Sequence, residues 1–261
     1  MSLDFDHELF RARQIDQVAV IRFRRNLIRQ LTDLSLKEAL FKYLKEASAD
    51  REIKVVLAFG NPEKIKQNEI VAFLGEITGS AATTDHISRI YNAINQLVLL
   101  IRNSDKIIIH ADDGEILSFF FNVSLACDYR IVGDKTVLQH PLLELGMVPK
   151  GGGIFFMAQK LGASKTLDLL LSGEDIDAGR ALDLGLVDKV VPSENIDAAA
   201  LEVAAKIAEK PRHFICGVKR LLNATSECLE TFLDKENEQL LECIKSGDFK
   251  QGLNRCHIES E

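Results

Sequence analysis

The sequence predicts an α/β chain with a helical C-terminal region, and three observations carry that reading. Short apolar runs that suit strands alternate with segments of helical period through the first two thirds of the chain. Beyond residue 193 the pattern is helical only. Residues 138–153, LQHPLLELGMVPKGGG, place two prolines, an apolar run and three consecutive glycines in one segment, which favours a rigid loop feeding the start of a helix. N–H groups at such a start lack intrahelical acceptors and suit an anion or a polarised carbonyl, so charge near this loop is where chemistry is expected.

In residues 8–24, the runs 9–12 and 18–23 read as a hairpin, with Val18, Val20 and Arg22 on one face of the second and Ala19, Ile21 and Phe23 on the other. Leu27, Leu31, Leu34, Leu36, Ala39, Leu40, Tyr43 and Leu44 recur at helical spacing, with Thr32 or Asp33 able to cap the start. A buried strand, IKVVLAF, follows at 53–59, and 60–70, GNPEKIKQNEI, reads as a polar loop. Residues 83–103 form an amphipathic helix capped by Thr84 or Asp85, and 106–109 a short buried strand. Strands are expected at 129–132 and 136–139, then a helix at 152–161 closed by Gly162. Ser164 caps a helix over 165–171 ended by Gly173, and Asp177 caps one over 178–184 ended by Gly185. A strand at 186–191 precedes helices over 194–208, 211–223 and 228–245.

Composition excludes several classes. With 261 residues, 46% of them hydrophobic, the chain can bury the core of one large domain, or of a domain with an appendage. No apolar run approaches the ~20 residues that cross a bilayer, and MSLDFDHELF lacks the order of a signal peptide, so a cytoplasmic location is expected. The five cysteines are scattered with no CxxC pair, which argues against a disulfide framework or a zinc site. A formal charge of -7, with no basic run longer than Arg24–Arg25, gives no sign of nucleic-acid binding, while leaving room for a local basic patch that holds a phosphorylated cofactor.

Residues 138–153, together with LLSGEDIDAGRALDLGLVDKVVP at 170–192, resemble the crotonase superfamily, the enoyl-CoA hydratases and isomerases. Its members carry P-E-x-x-x-G-x-x-P-x-x-G-G followed by L-x-L-T-G-x-x-x-x-A-x-x-A-x-x-x-G-L-V-x-x-V. This chain keeps Pro141, Gly146, Pro149, Gly152 and Gly153 of the first, and Leu171, Gly173, Ala178, Ala181, Gly185, Leu186, Val187 and Val190 of the second. The resemblance runs nearly end to end. It implies a crotonase-like spiral of ββα units as a core over residues 1–193, with a helical trimerisation region over 194–261, in a homotrimer often paired into a hexamer. It also implies an acyl-CoA substrate, with coenzyme A as part of that substrate and no separate cofactor.

The resemblance locates two backbone donors for a thioester carbonyl. The first follows the last glycine of roughly G-x-G-x-x-F-x-x-G-x-D-L. This chain is one residue shorter there and has Asn68 and Glu69 where that glycine and its neighbour are expected, asparagine accepting positive φ more readily than most residues. The second comes from N-G-x-x-x-G-G-G-x-E-x-x-x-x-C-D, whose frame here reads Asp113, Gly114, Ser118, Phe119, Phe120, Phe121, Asn122, Cys127 and Asp128, with Phe119 at the donor position. A backbone donor needs no particular side chain, although two rings restrict what fits beside it. The other reading of residues 119–121 is core packing on a helix.

In the hydratases, glutamates at the positions of Asn122 and Leu142 form the acid/base pair that adds water to an enoyl double bond. Leu142 moves no proton and Asn122 only orients water or a carbonyl, so two-glutamate hydration is not expected. Glu144 is the only acid in the loop and shares a face with position 142 if the loop is extended; apolar surroundings would raise its pKa toward that of a useful base. Its alternative role is an exposed or subunit-contact acid. His140 ranks behind it. His110, ahead of Asp112 and Asp113, reads either as half of a His–Asp pair or as a satisfied structural histidine. These residues form no metal-ligand spacing, and no metal is expected.

The leading reading is a crotonase-like enzyme that forms an enolate from an acyl-CoA thioester, for isomerisation, decarboxylation, hydrolytic carbon–carbon cleavage or an atypical hydration. The other is a crotonase fold without catalysis, serving as an acyl-CoA binder or a structural subunit.

Overall fold

The computed structural model describes residues 3–24, 34–60, 67–78, 84–140, 143, 145–224 and 228–258. Strands β1 (Phe5–Asp6), β2 (Phe10–Ile15) and β3 (Val18–Phe23) pair antiparallel and contain the expected hairpin. Helix α1 (Leu34–Ala49), β4 (Val55–Phe59), α2 (Gln67–Thr78), α3 (Thr84–Asn103) and β5 (Ile107–Asp112) follow. With β7 (Tyr129–Gly133) and β10 (Lys189–Val191) they complete a seven-stranded sheet in the order β1-β2-β3-β4-β5-β7-β10, parallel from β3 onward. A second sheet joins β6 (Glu115–Leu117), β8 (Val137–Gln139) and β9 (Ile176–Asp177), and α4 (Ser118–Ser124) leaves β6 directly.

Pleating sorts the large sheet's residues between two layers. Val18, Val20, Val55, Leu57, Ile109, Ala111 and Ile131 face α8 (Ile196–Ala208), whose Ala200, Ala204 and Ala208 allow close approach. Ala19, Ile21, Val56, Ile108 and Val132 face the main core, beside Tyr43 of α1, Val98 and Ile101 of α3, and Phe121 of α4. By strand parity, His110 and Asp112 share the face of Ile108. The remaining helices are α5 (Gly153–Leu161), α6 (Ala163–Ser172), α7 (Ala178–Asp183), α9 (Arg212–Ala224), α10 (Leu229–Lys245) and α11 (Gly247–Ile258). No helix among the described residues is long and apolar enough to cross a membrane.

Three local expectations are corrected. Residues 67–70 are helical rather than loop, because Ile70, Val71 and Leu74 of α2 bury against Ile87, Ile90 and Ile94 of α3. Ser164 lies inside α6, whose N-cap is Gly162 with no capping side chain. Residues 186–188 are not strand: the N–H groups of Leu186 and Val187 turn back to Ala181 O at 2.9 and 3.2 Å. The cap at Asp177 is present, its Oδ1 accepting from Arg180 N at 2.8 Å. The expected caps Thr32 and Asp33, with Leu27 and Leu31, lie outside the described residues.

Candidate active site

Gly151 and Gly152 adopt φ of +96° and +76°, which side-chain-bearing residues reach only with strain. The anion that takes their N–H groups belongs to the chain itself. Glu236 of α10 accepts from Gly151 N at 3.0 Å, from Gly152 N at 2.9 Å and from Lys150 Nζ at 2.8 Å. Both side chains of that ion pair are almost wholly buried, at 4% and 3% exposure. Lys150 also donates to Asn95 Oδ1, and burial holds its amine below the usual lysine range against the pull of Glu236. Asn122 of α4, 0% exposed, donates from Nδ2 to Lys150 O at 3.1 Å and lies against Gly153.

Another face of α4, carrying Phe119, Phe120 and Val123, borders a cavity of about 190 Å³. Its walls are mainly apolar side chains of β3, β4, α1 and α3, interrupted by Lys37, His110, Asp112, Ser124 and Cys127. The Phe119 and Phe120 rings meet edge to face at 5.2 Å and pack also against the cluster containing Leu117, Leu145 and Met147. Burial pushes the Cys127 thiol up to about 12, so it stays protonated. His110 Nε2 stands 3.9 Å from Asp112 Oδ2, with side-chain exposures of 16% and 9%. Gly60, where β4 ends, also lines the cavity; a methyl group built on it would stand 2.0 Å from the Asp112 carboxyl carbon. The missing side chain at Gly60 is what gives that carboxylate its place.

The enoyl-CoA hydratase/isomerase family model matches residues 13–259. The chain belongs to the enoyl-CoA hydratase/isomerase family. It is 27% identical over 238 residues to the fatty acid oxidation complex subunit alpha of Shewanella loihica, an alignment covering 84% of this chain and 33% of that protein. It therefore spans about a third of that relative's length. It is 21% identical over 242 residues to the trans-2-decenoyl-[acyl-carrier-protein] isomerase of Streptococcus mutans, covering 90% of each chain. In fold, it superposes on an enoyl-CoA hydratase from Bacillus halodurans with a TM-score of 0.82 and 19% identity, over 95% of this chain and 99% of that one.

In this member of the enoyl-CoA hydratase/isomerase family, the positions singled out in the sequence scatter. Phe119 lines the cavity in the first turn of α4, which no side chain caps, while Ser118 is buried beside it. Phe121 is core, and Phe119 and Phe120 are half-buried, packing partly on a core cluster and partly lining the cavity. Asn122 is not among the residues lining the cavity and instead ties α4 to the glycine segment. Asn68 is exposed and Glu69 half-buried in the first turn of α2. Among the described non-glycine residues only Asp16 has a positive φ, so the turn expected at Asn68 is replaced by helix. His140 is buried at the end of β8, away from the cavity lining; burial holds its imidazole below the usual histidine range, with Asp175 opposing. Glu144 lies outside the described residues, as do Pro141 and Leu142.

His110 and Asp112 are the titratable pair that the fold brings to the cavity wall. They were legible as a polar break in the run IIIHAD. Glu236 and Asn95 had no assigned role in the sequence, since each sits in an ordinary amphipathic helix pattern.

Proposed function

We propose that the chain acts on an acyl-CoA thioester whose apolar acyl group enters this cavity, and that the reaction runs through an enolate. The observation that carries the reading is the cavity: an apolar space that adjoins Phe119, Gly60 and a His–Asp pair, in a chain of this family. The Phe119 N–H, in the uncapped first turn of α4, serves as donor to the carbonyl oxygen, and the two rings beside it keep water away. Leucine at position 142 removes one of the carboxylates that hydration needs, so proton transfer within the substrate is favoured over addition of water.

In deuterated buffer the protein is expected to exchange the α-protons of hexanoyl- and octanoyl-CoA, followed by proton NMR. Ala93→Trp, which fills the cavity from α3, should slow exchange of octanoyl-CoA more than that of acetyl-CoA. If no thioester from acetyl- to decanoyl-CoA binds or exchanges, the non-catalytic subunit becomes the better reading.

The assembly belonging to this reading is a homotrimer. Phe214, Val218 and Leu221 recur along one side of α9 and are 60%, 40% and 75% exposed, and Leu167 and Leu171 of α6 are exposed as well. Apolar stripes of this size on a monomer mark interaction surfaces. Light scattering should return three times the chain mass, and Leu221→Glu should reduce it; a monomeric wild-type protein would sink this assignment.

A further inference from the structure

We propose that the proton carrier of this site is His110, with Asp112 as its positioning residue; the inference rests on the thioester reading above and names the group that performs its proton transfer. Three placements lead to it. His110 and Asp112 are alternate residues of β5, so both project to the cavity side while Ile109 and Ala111, which flank His110, pack toward α8. The strand neighbour of His110 on β4 is Ala58, whose small side chain also lines the cavity and leaves room for an imidazole. Gly60, two residues on from Ala58 and just past the end of β4, has no side chain where the Asp112 carboxylate sits. Burying polar groups beside an apolar space is costly, and here two same-side positions, Ala58 and Gly60, leave room for the pair.

The arrangement suits a base that must become charged. The imidazole lone pair takes the α-proton of the thioester; the C–H electrons form the enolate double bond, and the carbonyl π electrons move to oxygen. The imidazolium thus formed stands 3.9 Å from the Asp112 carboxylate, which stabilises the charge, while Asp112 Oδ1 is held by the Asp113 N–H at 2.8 Å. The proton then returns to the α-carbon or, where the substrate is a β,γ-enoyl thioester and the enolate is therefore a dienolate, to the γ-carbon. Electrons and atoms balance with no further reactant, and the second outcome moves a double bond. Among the described residues, the other charged or titratable groups lining this space are Lys37 from α1 and Cys127; Arg130 is the strand neighbour of His110 on β7 but does not line the cavity. The Arg130 guanidinium is engaged by Asp188 and by the Ser124 and Cys127 carbonyls.

The test is α-proton exchange of octanoyl-CoA in deuterated buffer by wild type, His110→Gln and Asp112→Asn, with binding of the same thioester and circular dichroism measured on each. His110→Gln should bind unchanged and lose exchange by about 100-fold or more. Asp112→Asn should exchange more slowly, with the midpoint of its pH–rate profile moved to lower pH, because the imidazolium has lost its carboxylate. If His110→Gln does not fold, the Asp112→Asn profile decides alone, and an unmoved midpoint overturns the proposal. Exchange that survives in folded His110→Gln, or that only Glu144→Gln abolishes, overturns His110 and leaves the thioester reading standing. A wild-type protein inert toward every thioester removes that reading first.

Discussion

Glu236→Leu is expected to lower the thermal midpoint by roughly 10 °C. The substitution removes the carboxylate that accepts from Lys150, Gly151 and Gly152 and leaves a buried ammonium uncompensated. Breaking such a pair from one side costs about 3–5 kcal/mol, and each kcal/mol moves the midpoint of a chain near this size by about 2–4 °C. Lys150→Met in the same chain should recover part of the loss, since two apolar side chains can replace a buried ion pair. Recovery stays incomplete because the two glycine N–H groups still lack their acceptor. A single-variant shift below about 2 °C by calorimetry would show that the pair contributes little.

Gly153→Ala is the second large effect. A methyl group there would stand 2.4 Å from both Cγ and Oδ1 of Asn122. Asn122 has no room to swing aside, being fully buried and bonded to Lys150 O. Overpacking of this kind costs about 1–3 kcal/mol. In an Asn122→Ala background the obstruction is gone, and glycine to alanine at a helical position should then be neutral or stabilising by about 0.5–1 kcal/mol. Urea unfolding of the four proteins reads the coupling. An equal loss in both backgrounds would mean that the amide is not the obstacle. The same cycle bears on the family comparison, because it tests Asn122 as a structural tie at a position where the resemblance places an acid.

The parts of the fold written in local pattern were legible. The hairpin follows from alternation in VAVIRF, the long α3 from its apolar stripe, and the turn before α7 from Asp177 at its cap. Helix α2 was not, because GNPEKIKQNE is mostly polar and shows no apolar period before Ile70, and the apolar face that begins there has meaning only against α3. The site divided along the same line. Phe119 was reachable through the motif frame, and His110 with Asp112 through the polar interruption of β5. Their common orientation toward the cavity needed the register of β4 and the knowledge that α8 covers the opposite face. Glu236 was out of reach: in DKENEQ it reads as one more solvated charge, and only the return of α10 across the glycine segment places it inside.

That return makes the glycine turn a latched element. Since the carboxylate is tethered to the same polypeptide, a dissolved phosphate would have to displace a competitor whose local concentration is set by the fold rather than by the solution. The amide hydrogens of Gly151 and Gly152 trade with bulk water only when the Glu236 carboxylate lets go of them, so their exchange rate reads how often that latch opens.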